Sequence, residues 1–328
     1  MKESLVRNAN KVFNSTLGQE DFDYSKWINS LSSEEWVAFL KYLSQNRVLY
    51  TTSRYLQEKL VELDSKKESD LKKILDAGAL EIRKFTDTID FLEKNLRGRG
   101  VNYLVVKTFK FLDYVTFDVD VLVHYEDFHN AQTLLREAGC KIFSHPRKQG
   151  LHQRNCRKEG LLNIDLHRKF YWQGLEHIDL DFVWRNPKDR EINGTRCLCP
   201  SLEADLLLNA KQLMYERYYV TLLDYFAVKS ILESKNLNLN IVREQVRKFG
   251  WEKTFNNLVS TIGKIGINTE MPAFISYTEV WRQLFEILIN QGKLPLYDFA
   301  YYHFAFLRYF INNDRLPYYD HWFSFSSL

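Results

Sequence analysis

The sequence predicts an α+β protein in which a small mixed sheet sits between two helical regions. Three observations predict it. Only 13 Gly and 6 Pro punctuate 328 residues, and no Pro occurs before Pro146, whereas a sandwich or barrel needs a turn every few residues. Apolar residues recur at helical spacing before residue 97 and again beyond Ser201. Between them, short β-rich runs alternate with a helical stretch. Hydrophobic residues make up 45% and charged residues 27%, enough to bury a core and to exclude a disordered chain. The expected division is a helical region over 1–96, an α/β core over 97–200 and a helical domain over 201–328.

In chain order, Ser32 opens the first clear helix as an N-cap with Glu35 placed to complete a capping box; Trp36, Phe39, Leu40 and Leu43 follow at helical spacing. A long helix over Lys67 to Leu96 carries Leu71, Ile74, Leu75, Ile82, Phe85, Ile89 and Leu92 on one stripe, and Gly98 and Gly100 end it. Val101 to Val106 and Phe117 to Val123 read as strands, the second with clean alternation. Phe128 to Ala138 reads as a helix closed by Gly139. Lys141 to Phe143 and Leu161 to Leu166 follow as strands, and Arg190 to Cys199 reads as one more, ending at Pro200. Glu203 to Glu233 is the strongest helical segment of the C-terminal part. The aromatic tail, with Tyr301, Tyr302, Phe304, Phe306, Tyr309 and Phe310, reads as a helix packed on the core, a base-stacking surface being the alternative.

The net charge of +3 is too mild to indicate a nucleic-acid binder by itself. No run approaches 18 apolar residues, so no membrane span is expected. The opening residues MKESLVRNANKVFNS lack the apolar run of a signal peptide. Cys140, Cys156, Cys197 and Cys199 form no C-x-x-C pair, so neither a zinc site nor a disulfide framework is expected. The expected setting is cytoplasmic.

Chemistry concentrates in the carboxylates. Residues two apart on a strand share a face, so Asp118 and Asp120 project together while Val119 and Val121 pack behind. Two such carboxylates repel, and a divalent cation, Mg²⁺ or Mn²⁺, stabilises them. The D-x-D spacing also occurs at Asp21/Asp23, in a polar loop, and at Asp179/Asp181, with strand-like alternation of its own. The Asp118/Asp120 pair stands apart because a later strand carries Asp165 between Asn163 and His167, all on one face. A third acid there gives a two-metal site, or a general base for a hydroxyl nucleophile. A solubility device on an edge strand is the alternative. From Arg147 to Lys158 the chain runs RKQGLHQRNCRK, five basic residues without an acid. This segment reads as a phosphate-neutralising stretch containing His152 and Arg154, or as a solvated loop.

Leu104-Val-Val-Lys107-Thr108, Asp118-Val-Asp120-Val-Leu-Val123, Asn163-Ile-Asp165-Leu-His167-Arg168, Asp181-Phe-Val-Trp184, Leu202-Glu-Ala-Asp-Leu-Leu-Leu208 and Leu223-Asp224 together resemble the uncharacterised nucleotidyltransferases of the polymerase-β-like superfamily. The resemblance runs over roughly residues 70 to 235. It implies a minimal palm in which Asp118, Asp120 and Asp165 are catalytic and hold magnesium. It further implies that the Lys107-Thr108 turn meets the triphosphate of an NTP donor, with His152, Arg154 and His167 as further nucleotide-binding candidates. Thr108 stands where the family has Gly. The implied activity is transfer of a nucleoside monophosphate to a hydroxyl of RNA, protein or a small molecule. The alternative is a degenerate fold that binds NTP or RNA, or serves as a toxin–antitoxin-type partner.

Overall fold

A computed structural model describes residues 3–18, 24–59, 63–144, 152–172, 175–217, 219–265, 271 and 273–274. The aromatic tail and the Asp21/Asp23 pair lie outside the described residues. Helices α1 (Glu3–Thr16), α2 (Tyr24–Ser30), α3 (Ser33–Gln45), α4 (Leu49–Lys59) and α5 (Ser65–Asn95) come first. The expected capping box is present: Ser32 Oγ accepts from Glu35 N, and the Glu35 carboxylate accepts from Ser32 N. α5 is capped by Asp64, whose side chain accepts from Lys67 N. Its stripe is buried at Leu71, Ile74, Phe85, Ile89 and Leu92, while Leu75 and Ile82 are half-buried. Gly78 faces the Tyr50 ring of α4, so the two helices approach where a side chain is absent.

Strands β1 (Tyr103–Val105) and β2 (Asp118–Val123), helix α6 (Phe128–Glu137) and strands β3 (Lys141–Ser144), β4 (Gln153–Arg157) and β5 (Asn163–His167) build the central unit. The sheet order is β1-β2-β5-β4-β3, with β2 and β5 parallel and the other neighbours antiparallel. The mixed sheet agrees with the fold class read from the sequence. The basic stretch, read as phosphate-neutralising or as a solvated loop, is in part the inner strand β4. Charges there conceal the alternation, which only its pairing with β3 and β5 brings out.

Short pairs β6 (Tyr171–Trp172) and β7 (Leu175–Glu176) lead to helix α7 (Leu180–Trp184) and to strands β8 (Lys188–Ile192) and β9 (Thr195–Cys199). Two expectations fail here. Asp179 and Asp181 are not on a strand: Asp179 caps α7 by accepting from Asp181 N at 3.0 Å and also accepts from Lys248. The single strand expected over Arg190 to Cys199 is a hairpin, turned by Asn193 (φ 50°) and Gly194 (φ 76°), both in the left-handed region that a tight hairpin requires.

Helix α8 (Leu202–Lys211) continues as one wider turn over Gln212–Arg217, then β10 (Tyr219–Val220), α9 (Leu222–Leu232), α10 (Leu239–Lys248), α11 (Glu252–Lys264) and β11 (Ala273–Phe274), which pairs with β10. The expected helix from Glu203 to Glu233 is therefore interrupted, and Thr221 with Asp224 starts α9 as a capping box. Two cores result. Phe85, Ile89, Leu92, Val119, Val121, Phe128, Leu135, Ile164 and Leu166 bury one sheet face under α5 and α6. Leu104, Val106 and Leu122 on the other face join Phe13, Trp36, Leu208, Leu223 and Trp251, so the N-terminal and C-terminal helices share a core. Asn46 ties them directly, its Oδ1 accepting from Leu222 N and its Nδ2 donating to Met271 O. Among the described residues no helix is long and apolar enough to cross a membrane.

Candidate active site

Alternation along β2 and β5 sets Val119, Val121, Ile164 and Leu166 in the core and turns Asp118, Asp120, Asp165 and His167 to the opposite face. The parallel register then decides which acids meet. Asp120 pairs with Asp165 and Asp118 with Asn163, so the first two carboxylates stand side by side on neighbouring strands. Asp118, at the exposed start of β2, occupies the outer end of the row.

Asp120 Oδ1 takes two partners, Lys107 Nζ at 2.6 Å and His167 Nε2 at 2.7 Å. Despite its burial, these partners hold its carboxyl well below the usual carboxylate range. Asp165 has the opposite balance. Burial, then repulsion from Asp120 and Asp118, push it up to about 7. Asn155 Nδ2 at 2.6 Å and Gln153 Nε2 at 3.1 Å each donate to one of its oxygens. His167, expected beside Asp165, is instead bonded across the strand pair to Asp120. One oxygen each of Asp120 and Asp165 and a ring nitrogen of His167 lie within 4.8 Å of one another, a donor set suited to a hard divalent cation.

The turn carrying Lys107 is fixed from several sides. Lys107 itself has φ 60°, which places the left-handed residue one position before Thr108. Thr108 is outside that region, so its Cβ meets no conformational objection there. Its hydroxyl donates to Val106 O at 3.0 Å, and its carbonyl accepts from Tyr114 Oη at 2.6 Å. Tyr114 is latched in turn to the hairpin tip, its N donating to Asn193 Oδ1 and its O accepting from Asn193 Nδ2. Further along, buried Lys110 donates to Asn209 of α8, and Asn209 donates to Asp205. Asp205 also accepts from Arg190 at 3.3 Å, whose guanidinium lies 4.4 Å from the Phe109 ring centroid. Burial pushes the Asp205 carboxyl up, and Arg190 and Lys110 oppose that rise.

The structure therefore brings together Lys107, Asp118, Asp120, Asp165 and His167, with Thr108 in the adjoining turn. Arg154 and His152 stand apart. Arg154 pairs in register with Leu166, on the core-facing side, and its guanidinium lies 5.9 Å from the Phe128 ring. His152 is at the head of β4, where its carbonyl accepts from Arg168 N; burial, then Arg168 and Lys169, lower its pKa. Sequence reasoning missed Gln153 and Asn155. Their period-two spacing on a segment taken for a loop was the available signal. It also missed Phe170, whose ring lies 5.8 Å from Lys107 Nζ and 5.2 Å from His167.

The model of a family described as uncharacterised nucleotidyltransferase matches residues 32–264, taking in both acid-bearing strands and the helices around them. The chain belongs to that family. This nucleotidyltransferase is thus a transferase whose family implies an NTP substrate, and the match extends beyond the 70 to 235 stretch that carries the sequence resemblance. Among solved structures, it is similar to the lincosamide antibiotic adenylyltransferase LnuA in its lincomycin-bound crystal form. The identity is 16%, the coverage 46% of this chain and 96% of that one, and the TM-score 0.31. It is also similar to the solution structure of the antibiotic-resistance factor ANT(2'')-Ia, at 9% identity, 57% and 96% coverage and a TM-score of 0.37. No curated protein matches the chain.

Proposed function

We propose that this nucleotidyltransferase moves a nucleoside monophosphate from an NTP to an acceptor hydroxyl, with Asp118, Asp120 and Asp165 as its reactive centre in the 97–200 unit. The observation that carries the reading is the in-register meeting of Asp120 and Asp165, one held ionised and the other held near neutral pKa. The residues fit a magnesium or manganese ion: the carboxylates are hard donors, and the repulsion that raises Asp165 is what a cation relieves. Asp120 and Asp165 would hold it, with Asp118 two residues before Asp120 on the same face as the third carboxylate. When bound, the ion supplies charge neutralisation at the triphosphate.

The chain's own groups account for the rest. Asp165, beside the ionised Asp120, takes the proton of the acceptor hydroxyl as its oxygen bonds to the α-phosphorus and pyrophosphate leaves. Gln153 and Asn155 fix the orientation of that carboxylate. Lys107 is a point charge on a turn fixed from several sides, placed to exchange Asp120 for a phosphate oxygen. His167 keeps Asp120 in position. One observation favours the non-catalytic reading: Lys107 already neutralises Asp120. A single assay separates the two. Labelled NTPs with Mg²⁺ or Mn²⁺ and a total cellular extract should release pyrophosphate and label an acceptor in wild type, and not in Asp165→Asn. Binding of NTP without turnover under all these conditions would leave the non-catalytic reading.

A further inference from the structure

The acid-bearing face does not end at Asp165. The register continues the row from Asp165 to Asn155 on β4 and from Asn155 to Phe143 on β3. Strands spaced about 4.8 Å apart set Phe143 roughly 10 Å from Asp165. Phe143 is 47% exposed, and the Arg157 guanidinium lies 5.4 Å from its ring centroid. Arg157 is exposed, is two residues from Asn155 on the same face, and donates to Asn155 Oδ1 at 3.3 Å. Its register partner Lys141 is exposed beside it. Among the described residues neither cation has an acidic partner. A lone exposed Phe needs no explanation. This one sits in line with the reactive acids, under a guanidinium, on the half of the face where the charge changes from negative to positive.

We propose that Phe143, Arg157 and Lys141, with Asn155 as the link to Asp165, form the acceptor subsite, and that it takes the end of a single polynucleotide strand. This rests on the transfer reading above for the word acceptor. Charge complementarity selects the occupant. An exposed ring with a guanidinium over it offers a stacking platform to an unpaired base, and the two cations flank it where phosphates run. The terminal hydroxyl then lies toward Asp165. Strand alternation also sorts the basic segment: Arg157 belongs to this surface, while Arg154 and Lys158 point to the opposite face, Lys158 donating to Ala138 O.

The test is fluorescence anisotropy with a labelled single-stranded RNA of about a dozen nucleotides, without NTP or metal, over a salt series. Wild type should bind, Phe143→Ala should weaken binding roughly tenfold, and Phe143→Trp should retain it. Arg157→Gln with Lys141→Gln should flatten the log–log salt slope by about 1.4, at about 0.7 per lost phosphate contact. Lys188→Gln, on the exposed face of β8, should change nothing. Competition by DNA of the same sequence, strong or weak, sets the preferred sugar and supports the surface either way. The proposal is overturned if wild type does not bind the strand, or if duplex RNA binds as well as the single strand. It is equally overturned if Phe143→Ala and the Arg157→Gln, Lys141→Gln double variant both bind like Lys188→Gln, or if label goes to protein or small molecules equally in wild type and Phe143→Ala. Pyrophosphate release without strand binding would remove the surface and leave the transfer reading; strand binding without NTP turnover would do the reverse.

Discussion

Replacing Asp165 by Asn perturbs one charge and little else, because the side chains are isosteric and Gln153 can turn its amide to match. The carboxyl rises from its ordinary 3.8 to about 7 through burial and through repulsion from Asp120 and Asp118. A folded pKa above the unfolded one means that the native state binds the extra proton. This contribution to stability is full below about pH 4, falls as pH rises through the interval, and is lost above about 7. Three pKa units at about 1.4 kcal/mol each give roughly 4 kcal/mol across the whole window. Between pH 5 and pH 8 the wild type without metal should therefore lose about 2 to 3 kcal/mol relative to Asp165→Asn. Equilibrium urea unfolding of both proteins at the two pH values reads this directly. At pH 8 the variant should be the more stable protein, yet inactive in transfer. Equal differences at both pH values would refute the account of Asp165 as a carboxyl strained by its neighbours.

Asp120→Asn should act in the opposite sense, since it removes the charge on which Lys107 and His167 converge; a loss of about 3 kcal/mol or more is expected in urea unfolding. The same variant should show no rise in thermal midpoint with NTP and Mg²⁺, where wild type shows one. Asn193→Ala should lower stability by about 2 kcal/mol, through a left-handed residue and two lost bonds to Tyr114. Because Tyr114 holds Thr108, NTP affinity by calorimetry should fall with it. Gly78→Ala should destabilise by about 1 to 3 kcal/mol despite the better helix propensity, because the new Cβ meets the Tyr50 ring; an unchanged melting curve would contradict that packing.

Much of the local structure was legible because its causes are local. The Ser32 capping box, the α5 stripe and the stop of α6 at Gly139 (φ 89°) follow from side chains within a few residues of one another. Period two was enough to put Asp118 with Asp120, and Asp165 with His167, on single faces. Periodicity failed where charge or burial on all sides erased it. β4 passed for a basic loop. Asp179 passed for a strand residue although it caps a helix, and α8 and α9 merged because both are apolar over most of their circumference. The Asn193-Gly194 dipeptide is itself a local signal for the hairpin turn between β8 and β9.

The sequence by itself determined which residue types the candidate centre draws on: three acids, a lysine on a turn and a histidine two residues past the last acid. Only the tertiary structure decided that Asp120 rather than Asp118 meets Asp165, that His167 bonds Asp120, and that Arg154 turns away from the acids while Gln153 and Asn155 bond Asp165. The reason is physical. A strand's own alternation fixes its two faces, whereas its neighbour and register are set by long-range burial under α5 and α6. A slip of one residue in β4 would bring Arg154 onto the acid face and carry Cys156 out of the core.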